Sequence, residues 1–272
     1  MTQRVFKRLQ RPAVILPAFS APPAWPCSLV NPEEIPVYIN TRNRLSPMRK
    51  LIEWLLASGT KKVVVIDNAS TYPPLLEYYR RGEGFEVFYV GRNGGPRAFW
   101  DHELYKKQST PYIITDADMV PDKGCPKDLI HQMNVLLHEN PESGKVGPGL
   151  RLDDIPDIPA SEKLNGWCIK EQQPYWLRRH SSLSFYAPVD TTFALYGEGN
   201  PSQSQHHNNL RMDFPYVFRH LPWYVTQENM DDEEKYYRTH TEIGPWGEAN
   251  PWSHNHQLLA PRDEHPWEDY PK

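Results

Sequence analysis

The apolar positions of residues 35–140 fall into short runs that alternate between strand-like and helix-like spacing. Pro36 to Asn40 predicts a strand, after which Ser46 and Pro47 open a helix as its N-cap and first-turn residue. Met48, Leu51, Ile52, Leu55 and Leu56 form the inward stripe of that helix, and Gly59 closes it. Lys62 to Asp67 is an unbroken β-branched run and predicts a buried strand. Pro73 to Arg81 predicts a short helix burying Leu75, Leu76 and Tyr79, and Phe85 to Val90 a third strand. A helix over Pro96 to Lys107 leads to a fourth strand, Tyr112 to Thr115. Lys127 to His138 predicts another helix with Leu129, Ile130, Met133, Leu136 and Leu137 inward. Strand–helix units repeated in this way imply an α/β fold, a mostly parallel central sheet with helices on both faces.

Beyond Gly144 the rhythm changes. Val146 to Leu152 and Val189 to Tyr196 read as further strands, set among Pro-, His- and Asn-rich stretches that suit loops around a site. Residues 1–34 are proline-rich without sustained periodicity and read as an extended arm, wrapped on the domain or partly disordered. The expected organisation is therefore a single domain over 35–260, with halves at 35–123 and 124–260, and a tail over 261–272. The acidic run Asp231 to Glu234 reads as a solvated helix start.

The fourth strand ends in the most informative chemistry of the chain, Thr-Asp-Ala-Asp, followed by Met-Val-Pro. Alternation would point Asp116 and Asp118 the same way at the C-terminal edge of a sheet, where open α/β sheets place their ligand crevice. Two hard oxygen donors on one side suit Mg²⁺ or Mn²⁺ shared with a substrate phosphate. A solvated Asp-rich turn is the alternative. The formal net charge is −4 and no basic cluster stands out, so neither nucleic acid nor an anionic membrane is an expected partner. No run approaches the roughly 18 apolar residues of a membrane span, and the first 30 residues lack a signal-peptide core, which implies a cytoplasmic chain without a transmembrane segment. Cys27, Cys125 and Cys168 are too scattered for a disulfide framework or thiolate zinc site and are expected to be reduced. Nine tryptophans and 15 tyrosines either pack loops or offer planes for bases and sugars.

Common nucleotide motifs are missing. The first strand is followed by Thr-Arg-Asn-Arg-Leu-Ser-Pro, without a dinucleotide glycine fingerprint, and no phosphate-binding Gly-x-x-x-x-Gly-Lys motif occurs. His102-Glu103 lacks the second histidine of a helical zinc motif, and no Gly-x-Ser-x-Gly marks a hydrolase. Four segments in order, Ile-Asn-Thr-Arg-Asn-Arg, Val-Ile-Asp-Asn-Ala-Ser-Thr, Gly-Arg-Asn-Gly-Gly-Pro-Arg-Ala-Phe-Trp and Thr-Asp-Ala-Asp, resemble the GT-A-fold glycosyltransferases, especially the family 2-like group. The resemblance covers about residues 35–123.

It implies a metal-dependent transferase that moves a sugar from a nucleotide-diphosphate donor, a UDP-sugar first, to a hydroxyl of a carbohydrate or lipid-linked acceptor. Residues 35–123 would then be the nucleotide-sugar half and 124–260 the acceptor half. Asp67 resembles the aspartate that accepts from the base, or it caps the next turn. Thr41 and Arg42 resemble the loop around base and ribose. Asn93, Gly94 and Gly95 allow close backbone approach, and Arg97 could reach the diphosphate or lie on the surface. Asp116 and Asp118 resemble the family's Asp-x-Asp, the second aspartate ligating the metal most directly. Arg219-His220-Leu221-Pro222-Trp223 partly resembles a segment that adds a histidine to the metal. That makes His220 a candidate ligand or a packed histidine, with His240, His254 and His256 as the other choices. Asp190 is either the general base of an inverting reaction or a structural aspartate. The same fold hosts sugar-1-phosphate nucleotidyltransferases, whose glycine-rich opening loop this chain lacks. A non-catalytic carbohydrate-binding protein is the third reading.

Overall fold

The β-branched and aromatic runs form the centre of the molecule. The computed structural model describes residues 27–155, 172–189, 192–200, 208–226 and 228–240. In it, β1 (Val37–Thr41) lies between β2 (Val63–Asp67) and β4 (Tyr112–Asp116), with β3 (Glu86–Tyr89) outside β2, and all four strands are parallel. Beyond β4 the sheet continues through β10 (Ala194–Tyr196), β6 (Lys145–Gly147), β11 (Leu210–Met212), β9 (Ser184–Tyr186) and β8 (Arg179–Ser181). In this second half only β6 and β11 pair in parallel. A separate small sheet joins β5 (Met119–Pro121), β12 (Val217–His220) and β7 (Gly149–Leu150).

The period of two along the central strands sorts the core into two layers. Val37, Ile39, Val63, Val65 and Ile113 face α1 (Ser46–Ala57), α2 (Pro73–Arg81) and α4 (Leu129–Glu139). Tyr38, Val64, Ile66, Tyr112 and Ile114 face Phe99, Trp100 and Leu104 on the other side. The expected helix over 96–107 is not continuous. It consists of a 3₁₀ turn, the four-residue α3 (Ala98–Asp101) and a second 3₁₀ turn, because Glu103 takes a left-handed φ of 53° that ends the helical ladder. The expected strand over 146–152 also splits. Pro148, which has no N–H for a ladder, divides it into β6 of the large sheet and β7 of the small one.

Residues 27–34 of the proposed arm are tied to α4. The Asn134 side chain receives the Val30 N–H at 3.1 Å and donates to the Ser28 carbonyl at 2.9 Å, and Cys27 is buried against it. Cys27 and Cys125 are unpaired thiols whose pKa burial pushes up to about 12, so both stay protonated. Cys168 lies outside the described residues.

Two expectations about capping are corrected together. Ser46 is the first residue of α1 rather than its N-cap, and the cap arrives from α5 (Asp232–His240). The Glu233 carboxylate accepts the Leu45 N–H at 2.8 Å, the Ser46 N–H at 3.0 Å and the Ser46 hydroxyl at 2.6 Å. Free N–H groups and the positive end of the helix dipole stabilise a carboxylate there. The acidic run is therefore only half solvated: Asp231 and Asp232 are exposed, while Glu233 and Glu234 are buried. Glu234 pairs with Arg44 and, at 2.7 Å, with Arg238.

Glu233→Ala should cost about 1–2 kcal/mol in urea unfolding, the range of a lost N-cap. For Glu234, burial works to raise the pKa, but Arg44 and Arg238 outweigh it and hold the carboxyl below its ordinary 4.5. Its stabilising effect is thus complete above pH 4.5 and is lost as the pH falls through the lowered folded value. Urea midpoints measured from pH 7 downward should show a smaller acid loss in Glu234→Gln than in the parent.

Candidate metal centre and ligand crevice

Because β2, β1 and β4 are in register, their C-terminal ends come together: Thr41 lies opposite Asp67, and Asn40 opposite Asp116. Asparagines hold the loops that leave β1 and β2 and tie them to the loop after β3. The Asn68 amide donates to Asn40 Oδ1 at 2.8 Å and to the Thr41 carbonyl at 3.1 Å, and its Oδ1 accepts the Gly94 N–H at 3.1 Å. Asn40 Nδ2 in turn donates to the Gly95 carbonyl at 3.2 Å. A Cβ on Gly94 would come within 3.2 Å of both Asn68 Oδ1 and Ala98 Cβ, so the close approach there is to the protein's own chain.

Asp67 is buried, with Oδ2 accepting the Ser70 N–H at 3.1 Å and Oδ1 the Tyr79 hydroxyl at 3.0 Å. Burial, together with the Asp67 charge, holds the Tyr79 phenol far above its ordinary pKa, which keeps it a donor. The turn-capping reading of Asp67 is thereby realised, while each oxygen retains acceptor capacity. Arg42 bridges two segments, donating to the Asn68 carbonyl at 2.9 Å and towards the His240 carbonyl at 3.5 Å. Asn93 Oδ1 accepts the Gly95 N–H at 3.1 Å. Arg97 is half exposed beside Asp101 at 3.6 Å, a surface pair on its own turn.

The two aspartates do not follow simple alternation. β4 ends at Asp116, and Ala117 and Asp118 form a turn that carries the chain into the small sheet. That turn brings Asp118 to His220 instead. In the β5–β12 pair His220 is opposite Met119, the Leu221 N–H donates to the Asp118 carbonyl at 3.0 Å, and His220 Nε2 lies 3.4 Å from Asp118 Oδ1. Trp223 packs edge-on against the imidazole, with ring centres 4.9 Å apart. Asp118 Oδ1 is buried without a hydrogen-bond partner. Burial works to raise the Asp118 pKa, but His220 and Arg44 outweigh it and keep the carboxylate ionised below its usual range. Among the described residues no set of three His, Cys, Asp or Glu side chains converges as a preformed metal cage, so the site brings together a pair, not the triad of Asp116, Asp118 and His220.

A cleft of about 130 Å³ opens beside Asp118. Arg44, Ser46 and Lys50 line it together with Leu221, Pro222 and Val225 and with Asn229, Met230, Asp231, Glu233 and Glu234. Arg44 is buried; burial disfavours its charge, but Asp118 and Glu234 more than compensate and hold it cationic. Its guanidinium also lies 3.6 Å from the Tyr237 ring centre. Arg44, Glu233 and Glu234 escaped the sequence reading as site residues because their partners are distant in the chain. His240 is turned elsewhere, its ring stacked on Tyr236 at 3.8 Å. Asp190, His254 and His256 lie outside the described residues. Among the described residues no helix is long and apolar enough to cross a membrane.

No protein-family model matches the chain, and no curated protein matches it in sequence. Among solved structures it is similar to glucosyl-3-phosphoglycerate synthase from Mycobacterium tuberculosis in complex with Mn²⁺, uridine diphosphate and glucosyl-3-phosphoglycerate. That match is 14% identical with a TM-score of 0.38, over 61% of this chain and 57% of that one. A mannosyltransferase from Pyrobaculum calidifontis in complex with GDP-Man and Mn²⁺ is also 14% identical, with a TM-score of 0.43 over 79% and 63% of the two chains. The match thus spans less than two thirds of either protein. Likeness of this degree says nothing about which residues bind or react.

Asn68→Ala should loosen the loops after β1, β2 and β3 at once. A loss of about 1–3 kcal/mol in urea unfolding is expected, since buried partners are left unpaired. An unchanged midpoint would show that the asparagine clamp contributes nothing.

Proposed function

We propose that the chain is a metal-dependent glycosyltransferase of the GT-A fold. It would move a sugar from a nucleotide-diphosphate donor, with UDP-sugars the first to test, to a hydroxyl of a carbohydrate or lipid-linked acceptor. The observation that supports this best is the Asp118–His220 pair at the C-terminal edge of a parallel sheet, beside the loops that leave β1 and β2. A buried carboxylate oxygen 3.4 Å from an imidazole nitrogen, with no conventional hydrogen bond of its own, fits Mn²⁺, which accepts both ligand types. Mg²⁺, which prefers oxygen, fits less well. When bound, such an ion supplies Lewis-acid charge for the leaving diphosphate.

The remaining work falls to the chain's own residues. Asp118 and His220 would hold the ion, and Arg44, paired with Glu234, lies beside Asp118 in the same cleft. Thr41, Arg42 and Asp67 offer the walls and the acceptor for base and ribose, and the Asn68 clamp fixes their loops. Leu221, Pro222 and Val225 supply an apolar wall that limits water beside the reacting atoms. Asp190 is proposed as the carboxylate that takes the proton from the acceptor hydroxyl, which is otherwise a poor nucleophile at neutral pH.

Release of nucleoside diphosphate from UDP-, GDP- and TDP-sugars, with and without Mn²⁺, tests the reading. Metal-dependent release is expected for one donor class, reduced about 10²-fold or more by Asp118→Asn. Asp190→Asn should lower turnover by about 10² while leaving nucleotide affinity intact. Binding without any release would support a non-catalytic carbohydrate-binding protein, and pyrophosphate exchange with a nucleoside triphosphate would support a nucleotidyltransferase. Undiminished turnover in Asp118→Asn would remove the metal from the mechanism.

A further inference from the structure

Behind the Asp118–His220 pair lies a closed ring of charges that the proposed reaction does not use. Asp122, immediately after β5, accepts Arg219 Nε of β12 at 2.8 Å and Arg151 Nη1, immediately after β7, at 2.9 Å. Asp154 closes the ring, 2.5 Å from Arg219 Nη2 and 3.3 Å from Arg151 Nε. All three strands of the small sheet therefore contribute to one ring, with the Asp122 carboxylate nearly buried at its centre. Burial works to raise the Asp122 pKa, but the two guanidinium groups outweigh it, so it stays charged. Past the site the ring extends to Tyr224, whose hydroxyl donates to Asp154 at 2.9 Å and to the Arg151 carbonyl at 3.2 Å. Residues 219 and 224 are thus pinned on either side of His220.

Arg219 and His220 are neighbours in a strand, so their side chains leave on opposite faces of the small sheet. The arginine goes to the ring and the imidazole to Asp118. A slip of one residue in the β5–β12 pairing would exchange them, presenting to Asp118 a guanidinium that ligates no metal. β5 and β12 are paired over only three residues, too few for the ladder alone to exclude that slip. Charges removed from water add little net stability, so the ring contributes more to register than to folding energy.

We propose that Asp122 is a positioning residue for the metal site. By holding Arg219 on the reverse face of β12, it sets the register that puts His220 against Asp118. The inference rests on the reading of Asp118 and His220 as the metal-holding pair.

The test is Mn²⁺ titration of the full chain, with free ion followed by electron paramagnetic resonance, for the parent, His220→Ala, Asp122→Asn and the double variant. His220→Ala and Asp122→Asn should each weaken Mn²⁺ binding by about tenfold, the lower end for residues that orient a ligand. The double variant should be no weaker than His220→Ala alone, because the effect of Asp122 passes through the imidazole. Additive losses, or parent-like affinity in Asp122→Asn, would overturn the proposal. Should Asp122→Asn fail to fold, Arg219→Lys keeps the charge but loses the fork that spans both aspartates, and the same non-additivity with His220→Ala is expected. If the parent itself binds no Mn²⁺ with or without UDP, the functional reading fails first and the inference with it. If the parent binds but His220→Ala binds equally well, the positioning claim alone is lost.

Discussion

The crevice depends on β1 being flanked on both sides by parallel partners. Parallel strands in register stop at the same level, so the loops leaving β1, β2 and β3 must turn within one small region, and their backbone N–H and C=O groups must find partners there. Asparagine suits this because one side chain both donates and accepts. Asn40, Asn43 and Asn68 take those places. Asn43, with a left-handed φ of 54°, accepts the Thr71 and Tyr72 N–H groups at 2.7 and 3.0 Å and so starts α2. A parallel sheet thereby fixes its crevice before any ligand arrives, and the side chains that fix it include several that could be mistaken for ligand contacts.

The other wall of the crevice is set by charge. α5 reaches the sheet edge through carboxylates: Glu233 on the N-terminus of α1, Glu234 between Arg44 and Arg238. An ionised side chain is buried at little cost only where N–H groups or cations replace its water. Both conditions are met, which places Asn229, Met230, Asp231, Glu233 and Glu234 firmly enough to line the Asp118 cleft.

Much of this was legible in the sequence where the signal is local. The β-branched run 63–67, the helix 73–81 and the stripe Met48, Leu51, Ile52, Leu55 have the periods that their final packing uses. The Thr-Asp-Ala-Asp strand end was legible from residue type and order, while His220 was singled out only by the resemblance of its segment. Hidden features were those whose cause lies far along the chain. Ser46 reads as an N-cap until Glu233, 187 positions later, takes that place. Asp116 and Asp118 read as one face until the turn at Ala117 hands the second aspartate to another sheet. Glu103 carries no composition signal for the backbone reversal that breaks the helix around it.

The formal charges around Asp118 add a final constraint on what the cleft can accept. Asp118 and Glu234 are matched by Arg44 and Arg238, so these four side chains cancel. The residues that line the cleft, Arg44 and Lys50 against Asp118, Asp231, Glu233 and Glu234, leave its formal charge at −2, so it has no attraction of its own for a diphosphate. A divalent cation on Asp118 and His220 would offset that negative charge in a partly enclosed cleft, where Coulomb interactions exceed those in water. The diphosphate of a nucleotide sugar carries two negative charges in the same space. Ion and donor would therefore each raise the other's affinity, as reciprocal linkage requires. The pairing of Arg44 with Glu234 works in the same direction, since it occupies a buried cation that would otherwise face the donor unpaired.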